Sequence, residues 1–355
     1  MFPENARPYC PECAESADAC HFNVDRREFL HSFSTAAVAL AVGGAAALTP
    51  RAFADDSPSV SRSVKPAEEL IKELWTTLSE EQKKILAMPW DHGAGPGKIP
   101  TRLGMYNGPI GGKKIGDHYS KPQQELIERI LKAISSGEDG YRQFTRNGTF
   151  DASGSLQGCG ATFFGEPVEG KKYAFVFAGH HLTVRCDGDS EEGPAFGGPI
   201  YYGHSPHGYS SKNCFNYQTK SVIGVWEALD EKQRQRAEIT KGNPGEQAPS
   251  VRFRKPGEPH PGISYADLTA DQRGLVEKVM RDVLSPYRKE DVDEVMRIIK
   301  ANGGMERIHL AFYKDDAMND EERWHFWRLE GPGFVWNYRV LPHVHTFVNI
   351  SSKLT

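Results

Sequence analysis

The sequence predicts an α+β fold: an antiparallel sheet with helices packed on it. Three observations carry this expectation. One type of helix start recurs four times, strand-forming residues cluster in two places, and the strands of the later cluster are joined by short turns. The helix starts are Ser79-x-x-Gln82, Ser120-x-x-Gln123, Asp230-x-x-Gln233 and Thr269-x-x-Gln272. Each has capping-box form, with a short polar side chain at the cap and Gln three residues later. After Ser120, Leu126, Ile127, Ile130, Leu131 and Ile134 fall at helical spacing and make one apolar face. Lys289 to Lys300 reads as a further helix, stopped by Asn302-Gly303-Gly304.

The first strand cluster, Tyr173 to Cys186, is rich in aromatic and β-branched residues. The second reads as a meander: Trp324–Leu329, a turn at Gly331-Pro332-Gly333, Phe334–Val340, a break at Pro342, then Val344–Ile350. Such short links require antiparallel neighbours. Gly188 to Asn216 reads as irregular, and residues 240–264, rich in Pro and Gly, as a long surface loop. Beyond the capping boxes no internal repeat is expected.

The chain begins with a segment of a different kind. Asp25-Arg26-Arg27-Glu28-Phe29-Leu30, an Ala- and Gly-rich stretch from Phe33 to Leu48, and Arg51-Ala52-Phe53-Ala54 together read as a twin-arginine secretion leader with a small-residue cleavage site. The organisation expected is therefore a leader over 1–54, a linker over 55–64 and one α+β domain over 65–355. The protein would be periplasmic or secreted, with the twin-arginine translocase as its partner during export. The apolar stretch is too short for a stable membrane span. Export in the folded state raises the expectation of a metal or redox cofactor.

Of 355 residues, 43 are Lys or Arg and 47 Asp or Glu, and 38% are hydrophobic. This is an ordinary globular balance, and without the leader the net charge is about −2. Nothing in it calls for a nucleic-acid partner. Cys159, Cys186 and Cys214 allow one internal disulfide at most.

Histidine carries the chemistry. His343 and His345, two apart on a strand, share a face and could bind one ion. Gly179-His180-His181-Leu182 interrupts a strand, and Gly179 would allow a bulge that re-aims one imidazole. His180, His181, His343 and His345 converging would suit copper, iron or zinc. His204 and His207 are expected to be solvated loop residues, and His309 and His325 core or edge residues. Cys186 is a less favoured thiolate. The acidic run Asp187-Gly188-Asp189, Glu191-Glu192 reads as a solvated turn before a Ca²⁺ site. A nucleophile elbow and a His-Glu-x-x-His zinc motif are absent, and Gly93-x-Gly95-x-Gly97-Lys98 lacks the rest of a P-loop.

Several motifs in order carry a resemblance. They are Arg102-Leu103-Gly104, Gln123-Gln124, Gly140-Tyr141, Gly165-x-Pro167, Gly179-His180-His181-Leu182, Pro199-Ile200-Tyr201-Tyr202-Gly203 with Pro206, Arg328-Leu329-Glu330-Gly331-Pro332 and His343-Val344-His345. In this order they resemble domain-of-unknown-function family 3500. The resemblance implies an exported protein with a shared histidine arrangement and brings no activity with it. The chain departs from the family pattern at Tyr173-Ala174-Phe175 (Trp-Gly-Trp), at Asn337 (Glu) and at His204 (a small residue).

The expectation is an exported metal-dependent enzyme acting on a small molecule or polymer. His180, His181, His343 and His345 would hold the ion, with Arg328 and Tyr338 beside it. Scarcity of carboxylates near the histidines favours a copper or iron oxidoreductase. A zinc hydrolase with the same residues, with a His or Glu330 as general base, is the alternative, and a periplasmic metal- or small-ligand-binding protein the third.

Overall fold

The computed structural model describes residues 66–246, 250–255, 257–314 and 324–353. The expected leader and linker lie outside the described residues. Helices α1 (Pro66–Thr77), α2 (Glu80–Leu86), α3 (Ile115–His118), α4 (Lys121–Ile134) and α5 (Gly137–Phe144) precede most of the first strands. Helices α6 (Asn216–Ala228), α7 (Glu231–Ala237), α8 (Ala270–Leu284) and α9 (Lys289–Ala301) precede most of the second set. All four expected capping boxes form, at Ser79, Ser120, Asp230 and Thr269.

The strands are β1 (Ala87–Met88), β2 (Gly160–Gly165), β3 (Tyr173–Gly179), β4 (Leu182–Cys186), β5 (Ile200–His207), β6 (Glu238–Ile239), β7 (Ile263–Ser264), β8 (His309–Tyr313), β9 (Phe326–Gly331), β10 (Phe334–Arg339) and β11 (His343–Ile350). They form one mostly antiparallel sheet in the order β1-β2-β3-β4-β5-β11-β10-β9-β8-β6, with β7 paired to β8. The fold class is α+β, as the sequence indicates.

The sheet order overturns one expectation. It runs as two matching halves, β1 to β5 against β6, β8, β9, β10 and β11, which meet at the β5–β11 seam. The outermost pair of each half is parallel, β1 with β2 and β6 with β8. The helices correspond as well. Trp75-x-x-Leu78-Ser79-Glu80-x-Gln82 leads into α2, and Trp226-x-x-Leu229-Asp230-Glu231-x-Gln233 leads into α7. The two segments stand roughly 150 residues apart, as do the boxes at Ser120 and Thr269, which is the mark of an internal duplication. The repeat is longer than a local motif and most of its side chains have diverged, so only the caps announce it.

The cap glutamines also brace helix against helix. Gln82 Nε2 donates to Gln123 Oε1 at 2.8 Å, and Gln123 Nε2 returns a bond to Gln82 Oε1 at 3.2 Å. In the second half Gln233 and Gln272 exchange the same bonds at 2.9 and 2.7 Å. One glutamine thus caps its own helix and ties it to the next.

Alternation along the strands sorts their side chains. Tyr202, Trp327, Leu329, Trp336, Tyr338, Val344 and Val348 join the helical residues in the main core. On the opposite face, Tyr201, Val335 and Phe347 pack with Met105, Val251 and Phe253 of long loops. Helices therefore cover one face and loops the other. β5 corrects the expectation of irregular chain from Gly188 to Asn216. Its Tyr-Tyr-Gly-His-Ser-Pro-His run has no apolar alternation because both its faces are covered.

Gln272 Nε2 also donates to Ala228 O at 2.7 Å, as Gln123 Nε2 does to Thr77 O at 2.9 Å in the first half. Gln272→Ala should cost about 2 kcal/mol in urea unfolding, while the exposed Gln235→Ala should stay within about 0.5 kcal/mol. Equal effects would show that the brace carries no stability.

Candidate metal centre

His181, His343 and His345 meet on the loop-covered face, beside the β5–β11 seam. β3 and β4 are a hairpin whose tip is His180-His181, rather than one strand with a bulge. His181 takes the left-handed conformation, φ 57°, uncommon for a residue with a Cβ. Its N–H is held by Asn107 Oδ1 at 2.6 Å. Gly179 is required before it, because a Cβ there would lie 2.6 Å from Cys159 Sγ. At the start of β11 a register shift falls between His343 and Val344, yet both imidazoles of the His-x-His pair turn to the same face.

The Nε2 atoms converge. His343 Nε2 is 2.8 Å from His345 Nε2 and 3.2 Å from His181 Nε2. A tetrahedral ion with bonds of about 2.0–2.1 Å to nitrogen would set its ligand atoms about 3.3–3.4 Å apart. The other ring nitrogens fix the tautomers. His181 Nδ1 lies 2.7 Å from Asp151 Oδ2, and His345 Nδ1 lies 2.8 Å from Glu246 Oε1. A carboxylate only accepts, so each Nδ1 carries the proton and each Nε2 presents a lone pair. Arg339 Nη2 approaches His343 Nε2 at 3.2 Å, and a guanidinium only donates, so this nitrogen is also an acceptor, and an ion bound there would take its one lone pair from Arg339. Three lone pairs therefore face one another, and all three histidines are at most 1% exposed. Such a group could hold a metal ion.

The carboxylates are themselves held. Asp151, in a short helical turn over Asp151–Ser153, also takes His204 Nδ1 at 2.8 Å and lies 3.5 Å from Arg146 Nε. Burial pushes its carboxyl up, but bonds from His181 and His204 and the Arg146 charge outweigh this and hold it well below the usual range. Glu246 pairs with Arg339 Nη1 at 2.9 Å. Two acids and two arginines thus balance around the three neutral rings.

The remaining expected residues fall elsewhere. His180 is next to the centre but outside the three-nitrogen set. Its ring lies against that of His181, tilted by 40° with centroids 3.7 Å apart. Tyr338 lies on the helix-covered face, with its hydroxyl 2.7 Å from Thr219 Oγ1. Arg328 and Glu330 share the face of the histidines but sit on β9, two strands from β11. They pair with each other at 2.9 Å, and Glu330 also pairs with Arg254 at 2.7 Å. The structure brings neither them nor Tyr338 to the imidazoles. His204, expected in solvent, is buried on Asp151. Cys186 lies at the far end of β4, where burial raises its thiol well above its ordinary range, and all three described cysteines are free. Asn337 donates to Gly245 O at 2.8 Å, a bond that glutamate could not make, and so anchors the loop carrying Glu246.

Asp151, Glu246, Arg146 and Arg339 escaped the sequence reading. Asp151 is 30 residues from His181, and Glu246 is 99 from His345. An acid inside a Pro/Gly-rich loop was the only local signal.

The fold and site define an α+β protein with a buried three-histidine centre. The chain belongs to the family described as "Protein of unknown function (DUF3500)", whose model matches residues 60–351. No curated protein matches the chain, and no solved structure matches it. Among the described residues no helix is long and apolar enough to cross a membrane.

Burial pushes His181 down to about 3 and His343 and His345 well below their ordinary value. The rings stay neutral when folded but take up protons in the unfolded chain below about pH 6.5. The metal-free protein should hold this stability above that pH and lose it as pH falls from about 6.5 towards about 3. Urea midpoints measured at pH 7.5, 6 and 5 test this, and a flat profile would show that the rings are not buried neutral.

Proposed function

We propose that this chain is an exported metal-dependent enzyme whose ion is held by His181, His343 and His345. The observation that supports this most directly is the meeting of three Nε2 lone pairs, two of them set by carboxylates on Nδ1. A carboxylate behind a ligating imidazole fixes its tautomer and raises its basicity. Three protein ligands are the pattern of a catalytic ion, which keeps one position for water or substrate, whereas structural zinc takes four. Among the described residues no fourth His, Cys, Asp or Glu joins the group.

The surroundings favour zinc acting as a Lewis acid on water or a carbonyl, in a hydrolase or lyase type of reaction. The expectation of redox chemistry leaned on scarce carboxylates, and two now stand against the imidazoles. With the acids and arginines already balanced, a divalent ion held by His181, His343 and His345 would leave the site positive and would suit an anionic substrate group. Copper is the second reading, since three imidazoles with no thiolate also suit it. The folded-export leader agrees with loading the ion before the chain crosses to the periplasm or beyond.

The test is elemental analysis of the purified chain beside His343→Ala/His345→Ala. Near-stoichiometric zinc, lost in a variant that remains folded, supports the Lewis-acid reading, and copper supports an oxidoreductase. A chain that is metal-free and takes up neither ion defeats the centre. Glu246→Gln, which removes charge but keeps shape, should weaken metal affinity about 10–100-fold in a chelator competition. Unchanged affinity would mean that Glu246 does not tune the ion.

A further inference from the structure

His180 is the one histidine of the group that the three-nitrogen centre leaves unused, and three of its four polar atoms are engaged. Its N–H donates to Ser153 Oγ at 2.8 Å, and its carbonyl accepts from Arg146 Nη2 at 2.6 Å. Its ring rests on that of His181. Its Nδ1 accepts the Ala152 N–H at 3.2 Å.

That last bond fixes the tautomer. An N–H pointing at Nδ1 requires a lone pair there, so the proton of the neutral ring sits on Nε2. The residue is 8% exposed, and Nε2 is buried with no hydrogen-bond partner among the described residues. A buried donor left unmade is costly, and such a group needs an explanation. The tautomer also argues against a second ion between Asp151, His180 and His181, although these three lie close together. Binding through His180 Nδ1 would displace the Ala152 N–H, and Asp151 Oδ2 already holds the proton of His181 Nδ1.

We propose that His180 contacts the bound ligand of the centre, its Nε2–H donating to an oxygen or nitrogen lone pair of the group that takes the ion's open position. This rests on the three-histidine reading and narrows it. The substrate presents a hydrogen-bond acceptor, a carbonyl, carboxylate or other oxyanion, beside the metal. A purely apolar or cationic ligand would leave Nε2–H unpaired.

The experiment uses the full chain loaded with cobalt(II), with azide as the probe ligand, followed by visible absorbance. His180→Leu removes the donor, and His180→Gln places an amide N–H near the former Nε2. The expected result is unchanged cobalt stoichiometry in both variants, azide binding about 10-fold weaker in His180→Leu, the worth of one hydrogen bond, and near-normal binding in His180→Gln. Unchanged azide affinity in His180→Leu overturns the inference. Loss of cobalt from both folded variants overturns it differently, by making His180 a ligand. A wild type that binds cobalt but not azide overturns it while sparing the centre, and a wild type that takes up no cobalt removes both. Should His180→Leu not fold, nitrogen–proton NMR of the zinc-loaded wild type decides. His180 must show the Nε2–H tautomer, and that proton must move downfield on addition of azide. An Nδ1–H tautomer, or a proton that azide does not move, overturns the proposal.

Discussion

The pairing of β5 with β11 is the constraint on which the rest of the structure depends. It joins the two halves of the sheet, and through it His343 comes within 3.2 Å of His181, 162 residues away. β5 sets β4, and with it the His180-His181 hairpin, two strands from β11 and on the side of His345 opposite β10. Gly203 stands opposite His345 in this ladder, and a Cβ there would lie 2.3 Å from Val344 O and 3.1 Å from the His345 ring. A larger residue would push the two halves apart at the level of the site.

Charge burial imposes the second demand. Three imidazoles kept neutral away from water cost little, but the carboxylates that orient them are expensive unless paired. Arg146 and Arg339 meet that demand, and each does so from a position fixed by backbone. Arg146 also bonds the carbonyls of Phe144 and His180, while Arg339 Nε donates to His343 O at 3.3 Å. The arginines thus hold both the charge and the loops that carry the histidines. Loss of either would disturb the geometry of the centre as well as its electrostatics.

The sequence made the helices legible because a capping box is local: Ser79 or Thr269 and a Gln three residues on state their own business. The meander was equally plain, since its turn lies within it. β5 was hidden because burial on both faces erases alternation, and the duplication because few side chains beyond the Trp-x-x-Leu pairs and the cap segments agree in both copies. At the site, residue type and spacing single out His181, His343 and His345 together with His180. Sequence does not separate His180 from the other three, since what distinguishes adjacent histidines is which nitrogen meets Ala152 N–H and which meets Asp151. Nor could it see that Tyr338 turns to the helices, which follows from its register on β10 against a strand whose neighbours were unknown.

The duplication sharpens what the site means. Two halves with the same strand order and the same glutamine braces could have carried the same chemistry twice, and they do not. Where the first half turns β3 into β4 through His180-His181, the second turns β9 into β10 through Pro332-Gly333. Where β11 opens with His343-Val344-His345, β5 opens with Ile200-Tyr201-Tyr202. The centre takes its hairpin from one half and its strand from the other, so neither half contains it alone. Scaffold stability requires only that the cores and braces persist in both copies, and that is where they agree. Among the described residues the imidazoles, their carboxylates and the arginines appear at one end of the seam only, at the cost of buried charge and a left-handed His181. A repeated fold that breaks its own symmetry at one place, and there accumulates groups that stability alone would not place, is arranged around that place.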